Sequence, residues 1–396
     1  MNYSDFFKMI PEASLVAILI VLFVADFATA KTEERKWFNP LASILLLLNT
    51  FVCLYPMDTQ HLFGGMYVTS SAVDVMKAIL SMGTFIVVVQ SRTWAAKTGK
   101  EAEFYMLIVS TLLGMFAMMS AGNFVMFFLG LEMASVPLAC AVAFDMYRKN
   151  SAEAAAKFIL TATFSSGVML YGISFLYGQF GTLYFDDIAV KMQATPLTVI
   201  GLVFFFSGLG FKISLVPFHF WTADTYQGAP TTVTGYLSVI SKGAAAFTLL
   251  SILFHVFGSM MEYWHVLLMI VVVLSITIAN LFAVRQNELK RFMAFSSISQ
   301  AGYIMLAAVG NNWANSVTAL SYYVLIYVVA NMAVFTIISV VEQNNGGKTN
   351  ISDYNGFYQT NPRLSFLMTL AMFSLGGIPP FAGMFSKFFI FMSGVN

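Results

Sequence analysis

The chain has 396 residues, of which 59% are hydrophobic and only 10% charged, with a net charge of +1. Soluble domains carry about 25% charged residues, and so even a charge balance argues against a nucleic-acid partner. The mean hydropathy of +0.78 assigns the residues to a bilayer, where counting soluble domains by length does not apply.

About 20 apolar residues span a hydrocarbon core. Twelve such segments follow one another, at 11–30, 38–57, 67–91, 103–121, 122–143, 155–178, 196–221, 229–257, 264–284, 291–310, 316–341 and 363–396. The predicted fold class is an all-α polytopic membrane protein. Only Lys8 precedes the first segment as a basic residue, and no small-residue cleavage site follows it, so that segment is predicted to be retained. Residues 120–123 leave room only for a tight hairpin between the fourth and fifth segments. Loops after odd-numbered segments hold Lys31, Arg35, Lys36, Arg92, Lys97, Lys100, Arg148, Lys149, Arg285, Lys290, Arg291, Lys348 and Arg363. Those after even-numbered segments, with the amino terminus, hold only Lys8 and Lys191. Basic residues remain inside, so the amino terminus is predicted outside. Trp37, Trp94 and Trp264 fall at segment ends and read as interfacial anchors.

Two segments are interrupted, the seventh at Pro217 and the twelfth at Gly376, Gly377, Pro379, Pro380 and Gly383. Broken helices five apart suggest two internal five-helix repeats, inverted because five is odd. The predicted organisation is 1–102 for three leading helices, 103–258 for the first repeat and 263–396 for a second, incomplete one. Discontinuous helices at a repeat interface are the usual place for ion sites.

Lys212, Lys242 and Lys387 lie within apolar segments, with Glu132 in a fourth. Each charge at the bilayer centre costs at least ~2.5–3.5 kcal/mol on insertion scales, so several together point to a proton or ion path. Lys157 is within reach of Glu153 one turn away, which offers a simple snorkelling pair as well as a relay. Lys77 and Asp74 read as a neutralised pair near the outer interface. His219 follows Pro217 and is a candidate relay between Lys212 and Lys242. His255 reads as an interfacial polar group, and Asp224 and Tyr226 as groups fixing a connection. Cys53 and Cys140 show no metal or disulfide spacing. His61, His219, His255 and His265 are too scattered for haem ligation, which disfavours a haem- or quinone-binding oxidoreductase.

The stretches GLGFKISLVPFHFWTADTYQGAPTTVTGYLSVISK, LEMASVPL, NELKRFMAFSSISQAGY and GGIPPFAGMFSKF resemble the antiporter-like membrane subunits of respiratory NADH–quinone oxidoreductase, complex I. The likeness is greatest to the subunit N branch, subunit 2 in mitochondria, and it covers nearly everything from the fourth segment onward. It implies a fourteen-helix proton-channel module without a redox cofactor, with NADH, FMN, iron–sulfur clusters and quinone in partner subunits. Glu132 and Lys212 would form a modulating ion pair, Lys242 would be the central carrier, and Lys387 the far-side terminal residue. A lysine at 387 favours subunit N over subunit M, the modest length disfavours subunit L, and Lys157 matches a lysine of subunit N relatives. Implied partners are the bilayer, another antiporter-like subunit and the small membrane-arm subunits beside it, in a bacterial plasma membrane. Gln300 replaces a histidine common in relatives, Ala223 a common proline, and the chain stops two helices short of the family pattern. A multi-subunit cation/proton antiporter, which shares fold and motif, is the alternative reading.

Overall fold

The computed structural model describes residues 3–29, 37–55, 59–146, 148–344, 346–347 and 349–395. Lys31, Arg35, Lys36 and Lys348 of the charge asymmetry lie outside the described residues. The order begins α1 (Ile10–Ala28), α2 (Phe38–Cys53), β1 (Gln60–Leu62), β2 (Tyr67–Thr69), α3 (Ser71–Thr98), α4 (Glu101–Met119) and α5 (Phe124–Val142). It continues α6 (Lys149–Phe180), α7 (Phe185–Lys191), α8 (Pro196–Ile213), α9 (Phe220–Gly228), α10 (Thr231–Tyr236), α11 (Lys242–His255) and α12 (Met261–Ala283). It ends α13 (Leu289–Leu306), α14 (Trp313–Asn344), α15 (Phe357–Thr360), α16 (Pro362–Gly376) and α17 (Ala382–Val395). Among the described residues, 10 helical stretches are long and apolar enough to cross a membrane. A membrane helix closes its backbone hydrogen bonds within itself, which is why an apolar chain of this composition resolves almost wholly into helices.

Connections collect at two opposite ends of the bundle. At the amino-terminal end, bridges join Tyr67 to Ala121 and Asn123 to Tyr184. At the other, Glu288 bridges Asn350, Arg148 pairs with Glu342 at 3.0 Å, and Thr93 donates to Gln343 Oε1 at 2.9 Å. The stretch from α10 through α11 is the most buried of the spans and forms the centre of the bundle. Helix association in lipid rests on close packing rather than on water exclusion, and the α4–α5 hairpin shows how. A Cβ at Gly114 would collide with the backbone of Ala134, and one at Gly130 with that of Met118.

Several sequence expectations are corrected. The third segment does not begin as helix at 67. Tyr67–Thr69 pairs with Gln60–Leu62 in a short antiparallel hairpin, and α3 starts only after Ser70, whose side chain accepts from Val73 N–H. Trp264 is no interfacial anchor, being 1% exposed with Nε1 donating to Phe257 O at 2.9 Å. Lys290 is not a loop cation but is buried, its Nζ donating to Ala229 O at 2.7 Å. Lys77 is fully buried rather than interfacial, and its nearest partner is Glu12 at 2.7 Å, with Asp74 at 4.0 Å. Lys77 and Lys290 find partners far away in sequence, Glu12 and Ala229, and Trp264 turns onto the carbonyl of Phe257 in the preceding connection, none of which the apolar pattern reveals.

Gly130→Val should lower the thermal midpoint of the detergent-solubilised protein, with an overpacking cost of about 1–3 kcal/mol or more. Unfolding followed by size-exclusion or fluorescence checks this, and an unchanged midpoint would mean that α4 and α5 have room to separate.

Candidate proton-transfer site

The apolar run of α8 ends at Ile213, where Ser214 takes a left-handed φ of 69° and caps the helix. Pro217, lacking an N–H, prevents resumption until α9. The released backbone groups find partners. Leu215 N–H donates to Gly210 O at 2.8 Å, Val216 N–H to Ser275 Oγ at 2.9 Å, and Trp221 Nε1 to Phe211 O at 3.1 Å. Lys212 therefore sits in a last helical turn, 5% exposed, with Nζ donating to Ser135 Oγ at 2.7 Å.

The closed Glu132–Lys212 ion pair expected from the resemblance is not formed. Glu132 is half-exposed and its charge acts on Lys212 through space, while the direct partner is the Ser135 hydroxyl. Residues three apart share a helix face. Ser135 takes the interior of that face on α5 and leaves Glu132 at its margin.

Around this break, Ser214 Oγ, His219 Nδ1, Thr222 Oγ1 and Thr225 Oγ1 are buried without a hydrogen-bond partner among the described residues. Buried polar atoms of this kind are normally satisfied by water. His219 is 8% exposed, stacks on Phe220 with ring centroids 4.6 Å apart, and lies within electrostatic reach of Lys242.

Lys242 begins α11 immediately after a π-turn at Leu237–Ser241, a local irregularity often found at functional sites. It is 1% exposed. Its Nζ donates to Ser297 Oγ at 2.8 Å and lies 5.3 Å from the centroid of the Tyr226 ring, a cation–π distance. Tyr226 is thus part of the lysine's surroundings rather than a group fixing a connection, and its hydroxyl lies 3.3 Å from Ser297 Oγ. Ser297 in turn donates to Ser238 O at 3.2 Å.

The second break falls between α16 and α17. Gly377 adopts φ 80° there, a conformation open to glycine, and Pro379 and Pro380 follow. Lys387 folds back onto the freed carbonyls, with Nζ donating to Leu375 O and Gly376 O, both at 3.1 Å. The Tyr303 ring centroid lies 4.7 Å from the same nitrogen. Gln300 Nε2 donates to that same Leu375 O at 3.0 Å. Gln300 and Lys387 thus share one acceptor.

Two polar stripes run from Lys242 toward Lys387. On α13, Ser297, Gln300 and Tyr303 recur every three residues and so share one face. On α14, Tyr323, Tyr327 and Asn331 recur every four. Tyr323 donates to Gln300 Oε1 and Asn331 to Ser238 Oγ, while the Tyr327 hydroxyl lies beside Ser297 without a hydrogen bond of good geometry. All but Tyr303 are nearly fully buried. Apart from Gln300 and Tyr226, none of these was singled out from sequence. The available signal was polar residues at helical spacing in SSISQAGY and SYYVLIYVVAN.

Lys157 pairs as expected with Glu153 at 2.8 Å, and also with Asp224 at 2.8 Å, which Arg291 reaches at 2.7 Å. Part of this network lines a polar surface cleft of about 160 Å³. The hydrogen bond from Lys157, aided by Arg291, holds the Asp224 carboxyl below its ordinary value against the opposing effect of partial burial. A depressed carboxylate stabilises above its unfolded value, about 3.9, and loses that contribution only as pH falls through the lowered one. A double-mutant cycle of Lys157→Met and Asp224→Asn, read by thermal unfolding, should give a small coupling that is equal at pH 8 and pH 5 and weakened by salt. A coupling that disappears at pH 5 would contradict the assignment.

Comparison with known proteins identifies the family of the chain. Residues 121–396 match the family described as "NADH:quinone oxidoreductase/Mrp antiporter, TM". The NADH-quinone oxidoreductase subunit N of Phocaeicola vulgatus is 57% identical over 399 residues, covering 100% of this chain and 84% of that protein. The structure of respiratory complex I from Thermus thermophilus with bound aureothin contains a chain that superposes with a TM-score of 0.82. The two are 29% identical, over 97% of this chain and 82% of that one. A chain of the Mrp complex from Dietzia sp. DQ12-45-1b gives a TM-score of 0.81 at 19% identity over 98% and 75% respectively, a likeness of fold alone. The chain belongs to the subunit N family of NADH-quinone oxidoreductase, within the wider group of antiporter-like transmembrane subunits.

Proposed function

We propose that this chain conducts protons across the membrane through Lys212, Lys242 and Lys387, driven by redox chemistry in other subunits of an NADH–quinone oxidoreductase. The observation that carries the reading is the pair of buried polar stripes running from Ser297 beside Lys242 to Gln300 beside Lys387. Lysines set in such a path exchange protons without making or breaking other bonds, so the chain is a non-redox subunit of a translocase. NADH, FMN, iron–sulfur clusters and quinone belong to its partners, among them another antiporter-like subunit and small membrane-arm subunits. On this reading residues 103–258 and 263–396 are two inverted units following three helices in 1–102. The amino terminus lies on the outer face of a bacterial plasma membrane.

Glu132 biases Lys212 by its charge, and a change in their separation alters how firmly Lys212 holds its proton. His219 and the orphaned hydroxyls near Pro217 provide the polar surroundings through which a proton reaches Lys242. Lys157 sits in the surface network at Asp224 and feeds the same break. Moving one charge against 100 mV costs about 2.3 kcal/mol, and a change of about two units in one lysine's proton affinity supplies about 2.7 kcal/mol. One rearrangement is therefore of the right size.

Two substitutions test the path in the assembled complex reconstituted into liposomes, with proton uptake and quinone reduction recorded together. Lys242→Arg keeps the charge but not the ability to release a proton, so transfer through this module should be lost. Reduction of artificial acceptors by the donor should stay near normal. Full pumping by Lys242→Arg would reduce the position to a fixed charge. Ser297→Ala removes a hydrogen bond to a charged group, worth about 1.5–3 kcal/mol, and should slow proton uptake roughly tenfold or more. Uptake that follows a sodium gradient in place of protons would favour the cation/proton antiporter reading.

A further inference from the structure

A second group of buried ionisable side chains lies away from the lysine path, where α1, α3 and the β-hairpin meet. Lys77 Nζ is 2.7 Å from Glu12 Oε1 and donates to the Tyr67 hydroxyl at 3.1 Å. Tyr67 donates to Glu12 Oε2 at 2.9 Å, and the Ser120 hydroxyl lies 3.4 Å from Glu12 Oε1. The Glu12–Lys77 pair is thus complete, with both carboxylate oxygens occupied. Asp74 is the surplus acid. It is 3% exposed, 4.0 Å from Lys77, and accepts one hydrogen bond, from Thr69 Oγ1 at 3.1 Å. Its Oδ2 is buried with no partner among the described residues. It does not cap its own helix, because Ser70 accepts from Val73 N–H there.

Charge counting then decides the chemistry. Two carboxylates and one ammonium leave a net charge of −1 in a dry interior. An uncompensated buried charge is far costlier than a neutral acid. Among the described residues, the other titratable groups that feel this charge, Cys53 from α2 and Tyr67 from β2, are neutral in their usual forms and bring no second cation.

The position is also close to an opening. In β2 the side chains alternate. Tyr67 and Thr69 point into the cluster and Val68 points away. Val68, Ser70, Val73, Met119 and Ala121 line a cleft of about 400 Å³ at the amino-terminal end of the bundle. Each of these neighbours a cluster residue in sequence, so a single layer of chain separates cluster from cleft.

We propose that Asp74 is a second proton-binding site of this chain. It takes one proton from the cleft at Oδ2 to become a neutral acid and releases it there again, beside the fixed Glu12–Lys77 pair. The step is carboxylate plus hydronium giving carboxylic acid plus water, with no other bond changed.

Infrared difference spectroscopy of the intact complex at rest tests this without turnover, so its outcome is independent of the function proposed above. At pH 7 the C=O stretch of one protonated carboxyl should be lost in Asp74→Asn and displaced in Thr69→Val, which removes that acid's hydrogen bond. The same band should shift in D2O, because the site exchanges with the cleft. If Asp74→Asn prevents assembly, Thr69→Val alone decides. A protonated-carboxyl spectrum identical in every assembled variant overturns the proposal, as does a band silent to D2O. Loss of the band on adding sodium chloride at constant pH would make this a cation site and would equally overturn it.

Discussion

A helix crossing lipid has already spent its backbone oxygens on itself, and everything distinctive in this chain follows from having to supply oxygen to three lysines regardless. Each lysine meets the constraint differently. Lys212 borrows a serine hydroxyl from α5. Lys242 takes another from α13 together with an aromatic face. Lys387 lies on carbonyls that exist as free acceptors only because the helix stops at Gly377. No carboxylate contacts any of the three among the described residues, so none is locked by a full opposite charge. A contact to a neutral oxygen orients an ammonium while leaving it free to give up its proton. A buried ion pair, once broken, leaves an uncompensated charge.

The same constraint explains why α13 and α14 lie where they do. A polar path through a bundle must be built from side chains, and these must share a face of an otherwise apolar helix. Spacing of three on α13 and four on α14 provides two such faces turned toward each other, cross-linked at Tyr323–Gln300 and reaching Ser238 through Asn331. Tyrosine, glutamine and serine suit this because each both donates and accepts. Gln300 carries no titratable group, so it joins the two stripes by hydrogen bonds alone.

Much of this architecture was legible in the chain itself. Apolar length marks the spans, Pro217 and the Gly376–Pro380 region mark the breaks, and a lysine in an apolar run is costly enough to stand out. Most of what escaped was set by contacts that the apolar pattern does not carry. Lys77 was assigned to Asp74, its neighbour in sequence, whereas its close partner Glu12 is on another helix. Trp264 and Lys290 were placed at the membrane surface because they border segments, yet both turn inward to carbonyl oxygens. Tyr323 and Tyr327 do not stand out among so many aromatics, and Tyr226 reads as a loop-fixing group, since only packing shows that its ring faces Lys242. The β-hairpin, three residues a side, is too short to register as an alternation.

The π-turn ahead of Lys242 has a further consequence. It places one more residue in a turn than the α pattern allows, so the side chains beyond it are rotated by about 100° relative to an uninterrupted helix. Tyr236, just before the turn, is keyed to α4 by its hydrogen bond with Thr111 at 2.7 Å. Lys242, just after, is keyed to α13. Were the turn to relax to a regular α-helix, one end would rotate, and either the tyrosine would leave Thr111 or the lysine would leave Ser297. Backbone register and side-chain facing are therefore one variable in this helix, and a single displaced peptide unit decides which neighbour the central lysine meets.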